Sequence, residues 1–172
     1  MKNLFVSAII GSAFALSAVA EDVSTTISDV HICCQSCVKG VEKAVADVKG
    51  VTATIDKDAE TVTLSGEKAS VQKAADALAA AGYFGKSSDA GIKFNPDSGA
   101  SGKKVQTLKL EGVHLCCGKC VSSVDKAVKS VNGVKNHTAK KNADSFEVTG
   151  DFNDKDVIEA LHNAGLNGKV AK

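Results

Sequence analysis

Tryptophan is absent from the 172-residue chain, and proline, tyrosine and methionine occur once each. Aromatic residues make up only 4%, too few to line a large pocket for a drug-sized substrate. Charge of one sign is also lacking: 21 basic residues face 20 acidic ones, for a formal net charge of +1. A near-neutral chain has no basic face to displace counterions, so no nucleic-acid partner is expected. With 44% hydrophobic and 24% charged residues, the chain reads as an ordinary folded protein, neither disordered nor polytopic. What is abundant for its size is cysteine, with six.

Residues 1–20 read as a secretory signal peptide. Lys2 gives a positive start, Leu4 to Leu16 an apolar run, and Ala18-Val19-Ala20 a small-x-small cleavage site before Glu21 and Asp22. The run is shorter than the roughly 20 apolar residues of a spanning helix. The expected mature chain is therefore periplasmic or secreted, without membrane insertion.

That mature chain is two copies of one unit. His31-Ile-Cys-Cys-Gln-Ser-Cys37 returns as His114-Leu-Cys-Cys-Gly-Lys-Cys120, an offset of 83 residues. Val38, Val41, Lys43, Ala44, Val45, Val48, Gly50 and Val51 have identical counterparts at the same offset, as do Leu78, Ala81 and Gly82. The expected division is a first domain over 21–86, a flexible linker over 87–104 and a second domain over 105–172. The linker carries Gly91, Pro96, Gly99 and Gly102 among Ser and Asp. About 18 flexible residues span roughly 20 to 25 Å, enough to let the units meet or tumble independently.

Within the first unit, residues 25–32 are β-prone, and Val38, Val41, Val45 and Val48 form the apolar stripe of a helix. Gly50 stops that helix; 51–55 and 61–64 alternate as strands, 67–81 form an Ala-rich second helix, and 83–86 a last edge strand. The second unit predicts strand 105–115, helix 119–131, strands 134–140 and 145–149, helix 154–164 capped by Asn153 or Asp154, and strand 166–171. The order βαββαβ makes the fold α+β: two ferredoxin-like sandwiches in tandem after a signal peptide.

All six cysteines fall in two clusters, Cys33, Cys34, Cys37 and Cys116, Cys117, Cys120, each between the first strand and first helix. A structural disulfide across Cys-x-x-Cys closes so short a loop that it contributes only about 2 kcal/mol, and leaves a third thiol unpaired. Thiol-disulfide exchange is a stronger alternative, because a helix N-terminus acidifies a thiol. However, three thiols exceed a redox pair, and Pro96, the only proline, lies in the linker rather than beside either cluster. Several soft sulfur donors near one point select Cu(I), Zn(II) or a heavier thiophilic ion such as Hg(II), and exclude hard cations. Structural zinc is a third reading, since each domain has only about 70 residues. His31 and His114, two residues upstream, are candidate ligands; His137 and His162 lack repeated counterparts and are expected on the surface. The lysine pairs 103–104 and 140–141 read as solvated charges. Nothing points to catalysis.

Each unit resembles the heavy-metal-associated (HMA) domain family, which includes copper chaperones, copper-ATPase N-terminal repeats and the periplasmic mercuric-ion-binding protein. The family motif, Gly-Met-x-Cys-x-x-Cys followed by Val-x-x-Val, falls on Cys34, Cys37, Val38 and Val41, and again on Cys117, Cys120, Val121 and Val124. The resemblance implies a ferredoxin-like fold, a two-thiolate soft-metal site in each domain, and buffering, sequestration or handover of the ion to a metal-transporting membrane protein or cuproprotein. Departures are plain: His31 and His114 replace the family Gly, Ile32 and Leu115 its Met, and Cys33 and Cys116 occupy a variable position. Tyr83 follows the glycine ending the second helix, whereas Leu166 does so in the second copy.

Overall fold

The computed structural model describes residues 21–94 and 96–171; the expected signal peptide, residues 1–20, lies outside them. The first unit runs β1 (Asp22–Ser28), α1 (Gln35–Val45), β2 (Val51–Asp56), β3 (Thr61–Glu67), α2 (Lys68–Ala80) and β4 (Lys86–Ser87). The second repeats it as β5 (Lys104–Glu111), α3 (Gly118–Lys129), β6 (Val134–His137), β7 (Ser145–Asn153), α4 (Asp154–Asn163) and β8 (Lys169–Val170). The sheets, ordered β2-β3-β1-β4 and β6-β7-β5-β8, are antiparallel throughout. This is the α+β, ferredoxin-like arrangement predicted from the repeat. Among the described residues no helix is long and apolar enough to cross a membrane.

The cores explain why these segments take these shapes. Alternate residues Ile27, Val62 and Leu64 of the first sheet are fully buried against Val41, Val71, Ala74 and Leu78 of α1 and α2. Leu110, Val148 and Phe152 do the same against Val124, Val128, Val157 and Leu161. Of the predicted valine stripe on α1, Val41 is the fully buried member, while Val38, Val45 and Val48 pack at its margin.

Two differences from the expected strands shape the site. β1 ends at Ser28 rather than 32, because Asp29 turns into the left-handed region at φ 60°. Val30 and Ile32, each 1% exposed, owe their alternation to core burial of a loop rather than to a ladder. Gly112 (φ 73°) likewise ends β5 before Val113 and Leu115 are buried. At the other end, Tyr83 does not belong to β4; it forms an isolated antiparallel bridge with Leu166 of the second unit.

That bridge belongs to a reciprocal interface between the units. Gly165 O accepts from His31 N (3.2 Å) and Phe84 N (3.0 Å), and Gly82 O from Asn167 N (2.9 Å). Gly82 and Gly165, at φ 88° and 72°, each lie where a Cβ would overlap the opposite unit's backbone, at Gly112 and His114 or at Asp29 and His31. The glycine ending each second helix thus seats on the cysteine loop of the other unit. Residues 87–104, expected as a flexible linker, carry fixed contacts: Ile92 is 2% exposed, Phe94 meets Phe84 edge-on at 5.5 Å, and the backbone of 101–103 is held by the Asp154 carboxylate.

Candidate metal centre

Cys34 and Cys117 occupy the N-cap positions of α1 and α3, with extended backbones at φ −163° and −149°. Each stands at the positive end of its helix. Neither helix has an acidic residue in its first turn to oppose it. Cys37 lies one turn before Val41 and Cys120 one turn before Val124, on the core-facing stripe, so both thiols are fully buried. Cys33, Cys34, Cys116 and Cys117 are half-buried, and all six are free thiols.

Docking of the units brings the two clusters together. Across the interface, Cys33 Sγ lies 3.5 Å from Cys117 Sγ and 3.7 Å from Cys120 Sγ. Cys37 Sγ lies 3.6 Å from Cys116 Sγ and 3.9 Å from Cys120 Sγ, and Cys34 Sγ 3.9 Å from both Cys116 and Cys117. These separations match those within a loop, where Cys34 to Cys37 is 3.7 Å and Cys117 to Cys120 is 3.6 Å. Four potential donor sets, each with ligand atoms within 4.8 Å of one another, emerge: Cys37, His114, Cys116 and Cys120; His31, Cys33 and Cys120; Cys33, Cys34 and Cys37; Cys34, Cys116 and Cys117. Three of the four mix residues of both units. All eight predicted site residues therefore lie in one place.

The two histidines differ. His114 stacks on Tyr83 with ring centroids 4.6 Å apart, and its Nε2 lies 3.1 Å from the Tyr83 hydroxyl. That hydroxyl donates its one proton to Cys37 O at 3.0 Å. Nε2 of His114 must then donate, which leaves Nδ1 with the lone pair a metal requires. At His31 the corresponding side chain is Leu166, and His31 Nε2 is buried with no hydrogen-bond partner among the described residues. A buried, unsatisfied ring nitrogen beside sulfurs suits a soft cation that would supply the missing bond.

In the metal-free state the sulfurs share protons unequally. Hydrogen bonding from Cys120 above all holds Cys37 far below the usual thiol range, and the same bond raises Cys120. Burial, reinforced by bonds to Cys117 and Cys37, raises Cys33; burial and Cys37 push Cys116 up to about 12. Burial opposes ionisation of Cys117, but the Cys120 N–H and the Cys33 thiol outweigh it and bring Cys117 down to about 6. Burial pushes His31 below the usual imidazole range, keeping the neutral form that ligates.

Two expectations are corrected. His137 is not on the surface: its side chain is 8% exposed and bonded through Nε2 to Asp125 at 2.9 Å. His162 is an interface residue, half-buried and stacked on Phe84 at 3.8 Å. Neither belongs to a donor set among the described residues. Gly40, Gly82, Gly165 and Asn167 shape the site without having been predicted, and Tyr83, noted only as a difference between the two copies, contacts it directly. The signal for Gly40 and Tyr83 was a break in the repeat, since they face Ser123 and Leu166 at the same offset.

Residues 26–84 and 107–166 each match the sequence profile of the heavy-metal-associated domain. Among curated proteins, Copper-transporting ATPase 2 of Rhizobium meliloti (strain 1021) is 30% identical over 112 residues, 65% of this chain and 12% of the relative. Copper-transporting ATPase 1 of the same organism is 35% identical over 103 residues, 59% of this chain and 10% of the relative. The chain thus spans about a tenth of the length of these relatives. Among solved structures, the N-terminal domain of PacS from Synechocystis PCC6803 is 25% identical, covering 40% of this chain and 100% of that one with a TM-score of 0.36. The N-terminal soluble domains of Bacillus subtilis CopA are 18% identical, covering 89% of this chain and 96% of that one with a TM-score of 0.32.

Proposed function

Because the chain belongs to the heavy-metal-associated domain family and gathers cysteines that could hold a metal ion, we propose that it is an exported, non-enzymatic carrier of Cu(I). It buffers the ion, sequesters it, or hands it to a metal-transporting membrane protein or cuproprotein. The observation that carries this reading is the convergence of six free thiols, two of them fully buried, with two imidazoles at the ends of two helices. Soft donors of this kind favour Cu(I), and Zn(II) or Hg(II) after it. The sequence relationship to copper-transporting ATPases supports copper in particular. Export rests on the signal-peptide pattern of residues 1–20. Four of the six sulfurs are half-buried rather than enclosed, and a partner's thiols can reach such positions for ligand exchange.

The deciding experiment is anaerobic competition between reduced protein and a chromophoric Cu(I) chelator. Withdrawal of Cu(I) by the wild type, lost on joint replacement of Cys34, Cys37, Cys117 and Cys120 by Ser, is expected; no withdrawal overturns the proposal. The lowered Cys117 thiol favours thiol-disulfide exchange as a second reading, tested by insulin reduction. Exchange needs two sulfurs, however, and gives the remaining four no role.

A further inference from the structure

Resting on that reading, we infer that the two loops form one polynuclear site rather than two mononuclear ones, its ions bridged by thiolates of both units. The sulfur geometry argues this directly. Connecting sulfurs that lie within 3.9 Å of one another closes four triangles: Cys33, Cys37 and Cys120; Cys33, Cys117 and Cys120; Cys34, Cys37 and Cys116; Cys37, Cys116 and Cys120. Every triangle takes sulfurs from both units. Metal–sulfur bonds of about 2.3 Å place the sulfurs around one ion roughly 3.8 to 4.0 Å apart, for tetrahedral or trigonal coordination. The triangle edges of 3.5 to 3.9 Å approach that spacing, so ions can enter with small adjustments.

The triangles also share corners. Cys37 and Cys120 each belong to three of the four, so two ions on different triangles would meet at a common sulfur. A thiolate has lone pairs to bridge two soft cations, and bridging lets six sulfurs serve more than two ions at full coordination. Charge favours the same filling, because each Cu(I) replaces a shared proton or offsets one thiolate in a region where Cys37 and Cys120 are fully buried. A trio within one loop, Cys33, Cys34 and Cys37, also lies within 4.8 Å, so mononuclear binding by a single unit is the competing outcome.

The test is titration of the reduced full chain with Cu(I) under anaerobic native mass spectrometry. A shared site predicts a direct rise to species with more than two ions per chain, intermediates below their statistical share, and the luminescence of a solvent-shielded Cu(I)-thiolate cluster. Joint replacement of Cys116, Cys117 and Cys120 by Ser is expected to remove the multi-ion species and weaken what remains at the first loop at least tenfold, with circular dichroism verifying the fold. Two ions bound statistically, with the first loop unchanged in affinity by that replacement, would overturn the inference while leaving the carrier function intact. Absence of any bound ion would overturn both.

Discussion

The hydroxyl of Tyr83, from the first unit, sits between Cys37 O at 3.0 Å and Nε2 of His114, from the second unit, at 3.1 Å. One side chain thereby ties the cysteine loop of its own domain to an imidazole of the other. Gly40 makes this contact fit, since a Cβ there would overlap the Tyr83 hydroxyl. In the second copy both terms change together, to Ser123 and Leu166.

Tyr83→Phe should keep the stacked ring, lose both hydrogen bonds, and destabilise the metal-free protein by about 1 to 2 kcal/mol in urea unfolding. Gly40→Ser should also destabilise, and less so in a Tyr83→Leu background than in the wild type. A double-mutant cycle with no coupling would show that the glycine does not serve the tyrosine.

His31 makes the opposite case, a buried Nε2 without a partner among the described residues. His31→Leu is expected to raise the stability of the metal-free protein by about 1 kcal/mol, because an unsatisfied polar atom is removed. The same variant should lose Cu(I) to a chelator more readily. Retention equal to the wild type would exclude His31 from the ligand set.

Acid should loosen the packing of His162 on Phe84. Burial lowers the His162 pKa, against opposing contributions from Asn167 and Glu159. The unfolded chain therefore takes up the proton first. Stability is constant above the ordinary histidine value of about 6.5 and declines as pH falls from there toward the lower folded value. Since His31 shifts in the same direction, the difference between wild type and His162→Gln isolates this residue. A pH-independent difference between pH 7.5 and 5, both assay conditions spanning about 6.5, would refute the assignment.

Asp154, 4% exposed, anchors the connector. Burial opposes its ionisation, yet hydrogen bonds from Ser101 N (2.7 Å), Ser101 Oγ (2.9 Å), Gly102 N (2.7 Å) and Lys103 N (3.1 Å) lower its pKa. Its contribution is complete at neutral pH and lost as pH falls below the usual carboxylate value of about 4 through the lower folded one. Asp154→Ala should cost about 2 to 3 kcal/mol at pH 7 and open residues 97–103 to limited proteolysis. Unaltered cleavage would mean that the connector is held elsewhere.

Much of the fold was legible because its signals are local. The valines three and four residues apart and the alternating strands each answer to their own neighbours, and the repeat stated them twice; Gly50, expected to stop the first helix, instead lies past its end at Val45, where Ala46 is the C-cap. Asn153 was a readable N-cap, and its side chain does accept from Lys155 N at 3.0 Å. Its neighbour Asp154, the other candidate cap, turned out to hold the connector instead, a choice made by residues about fifty positions away. Val30 and Ile32 misled for a related reason: alternation reports burial on two sides and does not distinguish a ladder strand from a loop pressed into the core.

By itself, then, the sequence determined the chemistry and the unit: soft sulfur donors at a helix start, on a βαββαβ frame, in duplicate. Only tertiary structure decided that the duplicates face each other. Cysteine spacing fixes distances along a few residues, whereas the 3.5 Å between Cys33 and Cys117 Sγ depends on Gly82 and Gly165 letting two backbones approach, on Tyr83 accepting from His114, and on Asn167 donating to Ala79 O across the interface. Such contacts join residues about thirty or more positions apart, and no local pattern encodes them.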